Sequence, residues 1–576
     1  MKIKSLILLL FILSGTLYAD YFADNNHRIY RYLTIWQDKG YIKQLPPVRP
    51  YPLQLLKKLL AEVKEKGSPD DVEIAERYYK LITTPGADIL TIKGKNLPAP
   101  IYYSVIAGLI TDTKDMYWFG GGKIDTAGLV FNDIISYTGK LSIAAQNNLG
   151  QGFFPQNSKT LFVDDYNSGG AGVGAVDIGH LGEGGFFIGT DRFYFSAGFW
   201  RSTYGPFFEN GPVIGPQAPG AGHFALAYRG DWITVNSVFL SLIAKQYAQK
   251  LAAPGLPYQL NTYASENIMK YLIVHTIEAH IADWLDLGLM QSVIGGGALH
   301  PEFLIPIQYV FYTQEQAGGY NNSQMGVYFK LRLPANIGID FIAFIDDWNL
   351  FSKVNGSGLN LNNAQNKYAI QAGISWTPDL TVFKRLSFDY QIISQYMYTH
   401  VGQVAAPAAQ VPTPYLNYTH NGTNLGSAME PNSDRFSLKA YVMPASWLDI
   451  DISATFMRHG NASADVYNTV GNTGIIGDGT VWDDGWTNNG VVTFYTPART
   501  LNQAVIEYTL QAGLELSFNF PFKYVELSLK IGYMFQQIWN KSLTIASGTA
   551  TAAAMGPQSG LNQTSNFLYV STEVKF

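Results

Sequence analysis

The densest run of hydroxyl-binding chemistry in the chain is Trp482-Asp483-Asp484-Gly485-Trp486-Thr487-Asn488-Asn489. A sugar ring has an apolar face and a rim of hydroxyls, and indole platforms flanked by carboxylates and amides match both. Trp482, Asp483, Asp484, Trp486 and Asn488 are therefore candidate glycan ligands, against the plainer role of packing their loop. Tyr320-Asn321-Asn322-Ser323-Gln324 repeats this chemistry and adds Tyr320, Asn321 and Asn322. Asp346 and Asp347, at a strand end, could bond hydroxyls or hold an anionic sugar through Ca²⁺; otherwise such a pair lines a wall. Arg458, in Arg458-His459-Gly460, could pair with a uronic acid or phosphate, or anchor a loop.

His275, Glu278 and His280 invite a metal reading. On a strand, His275 and His280 face opposite sides, while Glu278 and His280 share one. One zinc cannot readily take both histidines, so Glu278 and His280 read as a polar network. Gly120-Gly121-Gly122-Lys123 and Gly170-Ala171-Gly172 read as loop or turn glycines and do not open a helix after a strand, so phosphate binding is unsupported. No catalytic residue, metal or cofactor is assigned.

The elements that must position these residues follow from composition and period. Of 576 residues, 14% are charged, against ~25% for a soluble domain. Aromatics reach 14%, hydrophobics 47%, and Gly numbers 56; mean hydropathy is +0.00. This excludes a disordered chain and disfavours a long soluble enzyme. Beyond the N-terminus no ~20-residue apolar run of a membrane helix occurs. The net charge is −5 and no basic stripe stands out, so nucleic acid is not an expected partner. There is no cysteine, which excludes disulfides and thiolate metal sites. Lys2 and Lys4, the apolar run Leu6–Leu13 and the break ending at Ala19 resemble a secretory leader over 1–19.

Residues 20–97 read as a three-helix periplasmic unit. Ile29, Leu33 and Trp36 share one face; Leu53, Leu56, Leu60 and Val63 follow at helical spacing after Pro52. Ser68-Pro69-Asp70-Asp71 has capping-box form and opens a third helix. From residue 98 to 576 the period becomes 2. Leu448, Ile450, Ile452, Ala454 and Phe456 alternate with Asp449, Asp451, Ser453 and Thr455, and similar strands span 507–518 and 524–535. A soluble sandwich gives the same alternation, so loop lengths decide. Tight turns at Thr190-Asp191, Gly230-Asp231, Asp283-Trp284, Pro334-Ala335-Asn336, Pro378-Asp379, Pro444-Ala445-Ser446 and Pro521-Phe522 alternate with long connections at 148–182, 297–323, 400–433, 461–501 and 541–564. Short turns on one rim and long loops on the other are expected of bacterial outer-membrane barrels. The fold class is thus an all-β transmembrane protein, an 18-stranded antiparallel outer-membrane β-barrel with a small N-terminal helical unit. Arg385, Asp389, Lys439, Asp449, Asp451, Glu507, Glu515, Glu526 and Lys530 fall on its lumen face, where mixed charges form salt-bridge networks. Terminal Phe576 resembles the signal read by the outer-membrane insertion machinery.

Several segments resemble the capsule-assembly (Wzi-type) outer-membrane family: Arg49-Pro50-Tyr51; Arg201-Ser202-Thr203-Tyr204-Gly205-Pro206 with Gly215-Pro216-Gln217-Ala218-Pro219; His280 through Leu289-Met290-Gln291 and Ile305-Pro306 to Asn321-Asn322, ending in Ile345-Asp346-Asp347; and Glu430-Pro431-Asn432-Ser433-Asp434-Arg435 with Arg458-His459-Gly460. Gln291 departs from the acidic residue expected there. The resemblance implies an 18-stranded barrel and a non-enzymatic surface lectin that holds exported capsular or extracellular polysaccharide. The expected setting is a monomer in the outer membrane, among its lipids (lipopolysaccharide where present), with long loops outside the cell. The alternatives are a substrate-specific porin and, last, a lipid- or glycan-modifying enzyme; a paired-carboxylate glycosidase could sit in the lumen, because spacing across a barrel is not readable from sequence.

Overall fold

The computed structural model describes residues 27–83, 91–92, 95–96, 101–111, 116–147, 171–173, 176–250, 258–263, 269–306, 308–316, 321–347, 366–380, 382–400, 416–421, 423–461, 500–521, 526–543 and 556–575. Residues 1–19, where a leader is expected, most of 461–501 and Phe576 lie outside these residues.

Three helices open the described chain: α1 (Arg28–Asp38), α2 (Leu53–Lys66) and α3 (Pro69–Thr83). His27 caps α1, accepting from the Ile29 amide at 3.1 Å. Pro52 stands just before the first turn of α2, and Gly67 ends it by donating its amide to the Val63 carbonyl. Ser68 caps α3: its Oγ accepts from the Asp71 amide at 3.4 Å, and Asp70 and Asp71 occupy the first turn, where they complement the helix dipole.

The strands are β1 (Ile101–Thr111), β2 (Met116–Val130), β3 (Ile135–Asn147), β4 (Val176–Gly189), β5 (Phe193–Trp200), β6 (Ala221–Arg229), β7 (Ile233–Leu242), β8 (Lys270–Ala282) and β9 (Leu285–Gly296). They continue as β10 (Asn321–Leu333), β11 (Ile337–Asp347), β12 (Lys367–Trp376), β13 (Phe383–Ile393), β14 (Ser433–Ala445), β15 (Leu448–Gly460), β16 (Ile506–Pro521), β17 (Glu526–Trp539) and β18 (Gln563–Lys575). Each pairs antiparallel with its sequence neighbour, and β18 pairs with β1, so these eighteen strands close a barrel. The glycines at 120–122 sit inside β2, opposite Val105–Ala107, rather than in a turn: they are strand residues where backbones of neighbouring strands meet.

Turns at 131–134, 190–192, 230–232, 283–284, 334–336 and 377–382 lie on one rim. At the opposite rim lie the strand ends that 201–220, 243–269, 394–432 and 461–505 separate in sequence, and those of β1 and β2, only four residues apart. Outward side chains are apolar and exposed, including Leu287, Leu289, Ile374, Ile452, Leu514 and Val570. Phe131, Phe193, Trp232, Trp284, Trp376 and Trp447 ring the short-turn rim, as an aromatic girdle does at a membrane interface. No described helix is long and apolar enough to cross a membrane.

Eighteen strands leave room for a wide lumen, and here three pieces of chain fill much of it. The helical unit sits in the short-turn mouth, and its core merges with inward residues Phe187, Tyr194, Trp200, Ala227 and Tyr441 of the wall. The 201–220 connection turns inward: Thr203–Tyr204 pairs with Val48–Arg49 beside the helices, and Val213 and Ile214 are buried. From the far wall, the described parts of 394–432 (394–400, 416–421 and 423–432) fold in to meet it, with Met397, Tyr398, Tyr418 and Leu425 in one apolar cluster with Val213 and Ile214. The wall adapts: inward residues of β7, β8, β9 and β11 include Leu240, Leu272, Val274, Met290, Ile342 and Phe344. Sequence alternation predicts a polar inner face; on these strands it is apolar, because inserted loops rather than water cover it.

Candidate functional site

The candidate ligands divide among three places. Trp482, Asp483, Asp484, Trp486, Asn488 and Tyr320 lie outside the described residues. Asn322 and Asp346 come together, on facing strands at the long-loop rim. In the β10–β11 register Met325 opposes Ile345, so Gln324 falls opposite Asp346 and all three side chains point into the lumen. Ser292 Oγ donates to Gln324 Oε1 at 2.7 Å, and Gln324 Nε2 to the Asn322 carbonyl at 3.2 Å. Lys367 Nζ lies 3.0 Å from Asp347 and 4.0 Å from Asp346, and also donates to the Thr399 carbonyl at 3.0 Å.

Asp346 and Asn322 are each only 5% exposed; the inserted 394–432 segment covers them. They act first as wall chemistry, with Lys367 tying strand ends to that segment. Asp347 remains open, at 46% side-chain exposure. Asp346 Oδ1 has no hydrogen-bond partner among the described residues, whereas Ser323 stands opposite Val293 on the outer face of the wall. Asn321 parts from Asn322, pointing to the outer face, where its carbonyl accepts from Gln314.

Arg458 also faces outward. It grips Asp434 through both Nε (2.9 Å) and Nη2, and Tyr390 donates to the same carboxylate at 3.0 Å. This bidentate pair takes up most of the guanidinium's directional bonding, so its main role is to staple β14 to β15.

The histidines separate as the strand period requires. His275 points outward to the Phe303 carbonyl at 2.6 Å. His280 points inward, between Asp286 (2.7 Å) and Thr234 (2.8 Å). Glu278, His280 and Asp286 place one ligand atom each within 4.8 Å of one another. Lys330 Nζ already sits 2.8 Å from Glu278 and 3.6 Å from Asp286, and Tyr328 donates to Glu278 at 2.8 Å. An ammonium thus supplies the positive charge a cation would bring, and the cluster is a lumen network.

Other lumen charges pair chiefly with the plug. Asp449 and Asp451 take Arg28 and Arg31 of α1; Arg385 and Arg332 take Asp38; Lys439 takes Glu209 of the inserted loop. Asp389 accepts from Asn210 and Gln371, while Lys530 and Glu515 pair within the wall at 3.9 Å. Glu507 accepts from the Ser542 amide; the side chain of Glu526 is not among those described. Between plug, loop and wall lies a partly open cavity, with room of about 80 Å³ for water-sized centres, lined by Arg49, Phe208, Glu278, Lys330, Arg385 and Asp389 among others.

Sequence reasoning missed Ser202, which hydrogen-bonds His223 Nδ1 at 2.8 Å. The second nitrogen of His223 meets Ser196 at 3.3 Å, and the Trp200 ring covers the imidazole at 4.8 Å. Among the described residues no carboxylate orients this histidine, and the pair is sealed in the wall.

A closed ring of eighteen antiparallel strands, an apolar outer belt with an aromatic girdle and a charged, occupied lumen define an outer-membrane β-barrel. No protein-family model matches the chain, and no curated protein sequence does. Among solved structures it is similar to Wzi of Escherichia coli, described as an outer-membrane protein involved in group 1 capsule assembly and a carbohydrate-binding β-barrel: 12% identity, 96% of this chain and 99% of that one, TM-score 0.49. It is also similar to Pseudomonas aeruginosa OccK5 (9% identity, 83% and 98% covered, TM-score 0.40) and to Acinetobacter baumannii OccAB2 (10%, 82% and 98%, TM-score 0.39).

Proposed function

We propose that this chain is a non-enzymatic surface lectin of the outer membrane, binding and anchoring exported capsular or extracellular polysaccharide on its long-loop rim. In this reading the short-turn rim and helical unit face the periplasm. The observation that carries it is the filled lumen: inserted loops meet in a buried apolar cluster across the barrel, so the barrel is a platform for its long loops. Asp347, 46% exposed at its side chain, lies on that rim, and in sequence the Trp482–Asn488 run falls between β15 and β16, whose facing ends lie at the same rim. The test is a glycan array probed with the purified barrel, the 461–501 deletion and the Trp482→Ala/Trp486→Ala variant. Selective binding lost in both variants supports the reading; equal binding by all three refutes the loop assignment, and no binding by the intact barrel refutes the lectin.

A gated channel is the second reading, and the charged, partly solvated cavity beneath the inserted loop favours it. Planar-bilayer recording separates the two. Steady conductance blocked by a solute supports the channel, and a silent barrel supports the lectin.

A further inference from the structure

The 299–316 stretch leaves β9 at the long-loop rim and turns back over the outside of the barrel. It forms a 3₁₀ turn (Pro301–Leu304) and a short helix, α4 (Val310–Gln316). Phe303 and Val310 are fully buried against outward residues Tyr271, Ile273 and Val293 of β8 and β9. Beneath it, on a wall face that also carries Ser237, Asn321 and Ser323, lie two larger polar side chains, His275 and Gln291. The segment's backbone meets both: His275 Nε2 pairs with the Phe303 carbonyl while its Nδ1 is left buried without a partner among the described residues, Gln291 donates to the Gln308 carbonyl at 2.5 Å, and the Val310 amide donates back to Gln291 at 3.1 Å.

Height makes this arrangement informative. Gln291 lies seven residues above Trp284 of the short-turn girdle. At ~3.4 Å per residue and ~40° tilt that is ~18 Å, inside a hydrocarbon band ~25 Å tall. Uncovered polar groups there would lack partners; the segment supplies them to His275 Nε2 and to both ends of the Gln291 amide. Its own outer surface then replaces the wall's: the exposed apolar residues are Leu304 (41% exposed), Ile305 (46%), Tyr309 (50%) and Tyr312 (64%), and the exposed polar ones include the His300–Glu302 pair at the segment's start. That surface continues directly into the exposed lipid-facing residues Leu289, Met325 and Val327. Tyr309 reaches Met325 Sδ at 3.9 Å, level with Gln291 in the β9–β10 register, and amphipathic rings of this kind favour the headgroup boundary.

We infer that residues 299–316 form a membrane-interface collar, a segment clipped to the lipid-facing wall through His275 and Gln291 whose Leu304, Ile305, Tyr309 and Tyr312 face embeds in the outer-leaflet lipid boundary. The polar pair is the clip, so Gln291 is a positioning residue for the collar.

The chain's lack of cysteine allows nitroxide labels at single positions: Ile305→Cys and Tyr312→Cys in the collar, Leu289→Cys on the bare wall and Asp191→Cys in a short turn. The full chain is reconstituted in phosphatidylethanolamine/phosphatidylglycerol vesicles, and folding is checked by heat-modifiable gel mobility. The expected result is an oxygen-to-nickel-chelate accessibility ratio at 305 and 312 several-fold above that at 191 and close to that at 289. Chelate accessibility at 305 and 312 matching that at 191 overturns the collar. Low accessibility to both reagents with dipolar broadening between molecules also overturns it, by assigning the face to a second copy. If 289 reads as aqueous as well, the barrel assignment fails rather than the collar. Gln291→Leu in the Tyr312→Cys background is expected to raise nitroxide mobility at 312; unchanged mobility refutes the clip.

Discussion

Asp38, the last residue of α1, offers the sharpest perturbation of how the plug is held. Its carboxylate has no solvent exposure and meets Arg332 at 3.2 Å and Arg385 at 3.1 Å, with Ser375 donating at 2.9 Å. Asp38→Ala removes the acceptor and leaves Arg385, 21% exposed at its side chain, without a carboxylate. Arg332 keeps Asp340 at 2.8 Å, so the loss falls toward the low end of the ~3–5 kcal/mol typical for breaking a buried pair from one side. About 3 kcal/mol corresponds to roughly 10²-fold in the docked-to-undocked ratio. Hydrogen–deuterium exchange reads this locally. The α1 amides of residues 33–38 are expected to exchange roughly 10²-fold faster, while those of β16 and β17 keep their rates. Exchange in α1 within threefold of the parent chain would refute the view that wall charges hold the plug.

Asp71 anchors α1 to α3, accepting from Trp36 Nε1 at 2.9 Å and from Lys39 at 2.8 Å. Burial pushes its carboxyl up, but these bonds and the one from Ser68 outweigh that and hold it below the ordinary carboxylate value. Its stabilisation is therefore present above the unfolded pKa and lost as pH falls through the lower folded one, so helical-unit exchange should rise below about pH 4, and Asp71→Asn should flatten that acid limb. Lys330→Met leaves Glu278 and Asp286 without their cation and should cost ~3–5 kcal/mol in urea unfolding; Lys330→Met/Glu278→Gln should recover part of it, and a further loss refutes the pairing. Lys270, buried, donates to the Asn417 carbonyl at 2.8 Å and to Thr419 at 3.1 Å; Lys270→Met should speed protease cleavage within 400–421, with no change there counting against the pin.

Much of the frame was legible in the sequence because membrane barrels expose their pattern. In β15, Ile452 faces lipid while Asp449 and Asp451 face in, and period 2 reveals both at once. The helices were legible from caps and breaks such as Ser68 and Gly67. The interior was not. Arg201–Gly220 has no period, and nothing local says that it turns inward to meet Val48. One signal did exist: Tyr271-Leu272-Ile273-Val274 breaks alternation, and the structure buries that run on both faces, beneath the inserted loop inside and the collar outside. For the site, Asn322 and Asp346 meet only through the β10–β11 register, which is set by how strands stagger around a ring. Inward carboxylates could be listed from sequence; that Asp449 and Asp451 answer to Arg28 and Arg31 could not.

The placement of α1 carries a consequence for assembly. The earliest described residues find their partners near the far end of the chain: Arg28 donates to Asn519 at 2.6 Å, across 491 residues. Loop-closure entropy makes such contacts late, so the plug can seat only after β15 and β16 have joined the ring. A chain stalled before those strands holds Arg28 and Arg31 without their carboxylates and presents a loose, cleavable N-terminal segment. Docking of the helical unit thereby marks a finished barrel, and protease resistance near residue 30 becomes a timer for how far insertion has gone.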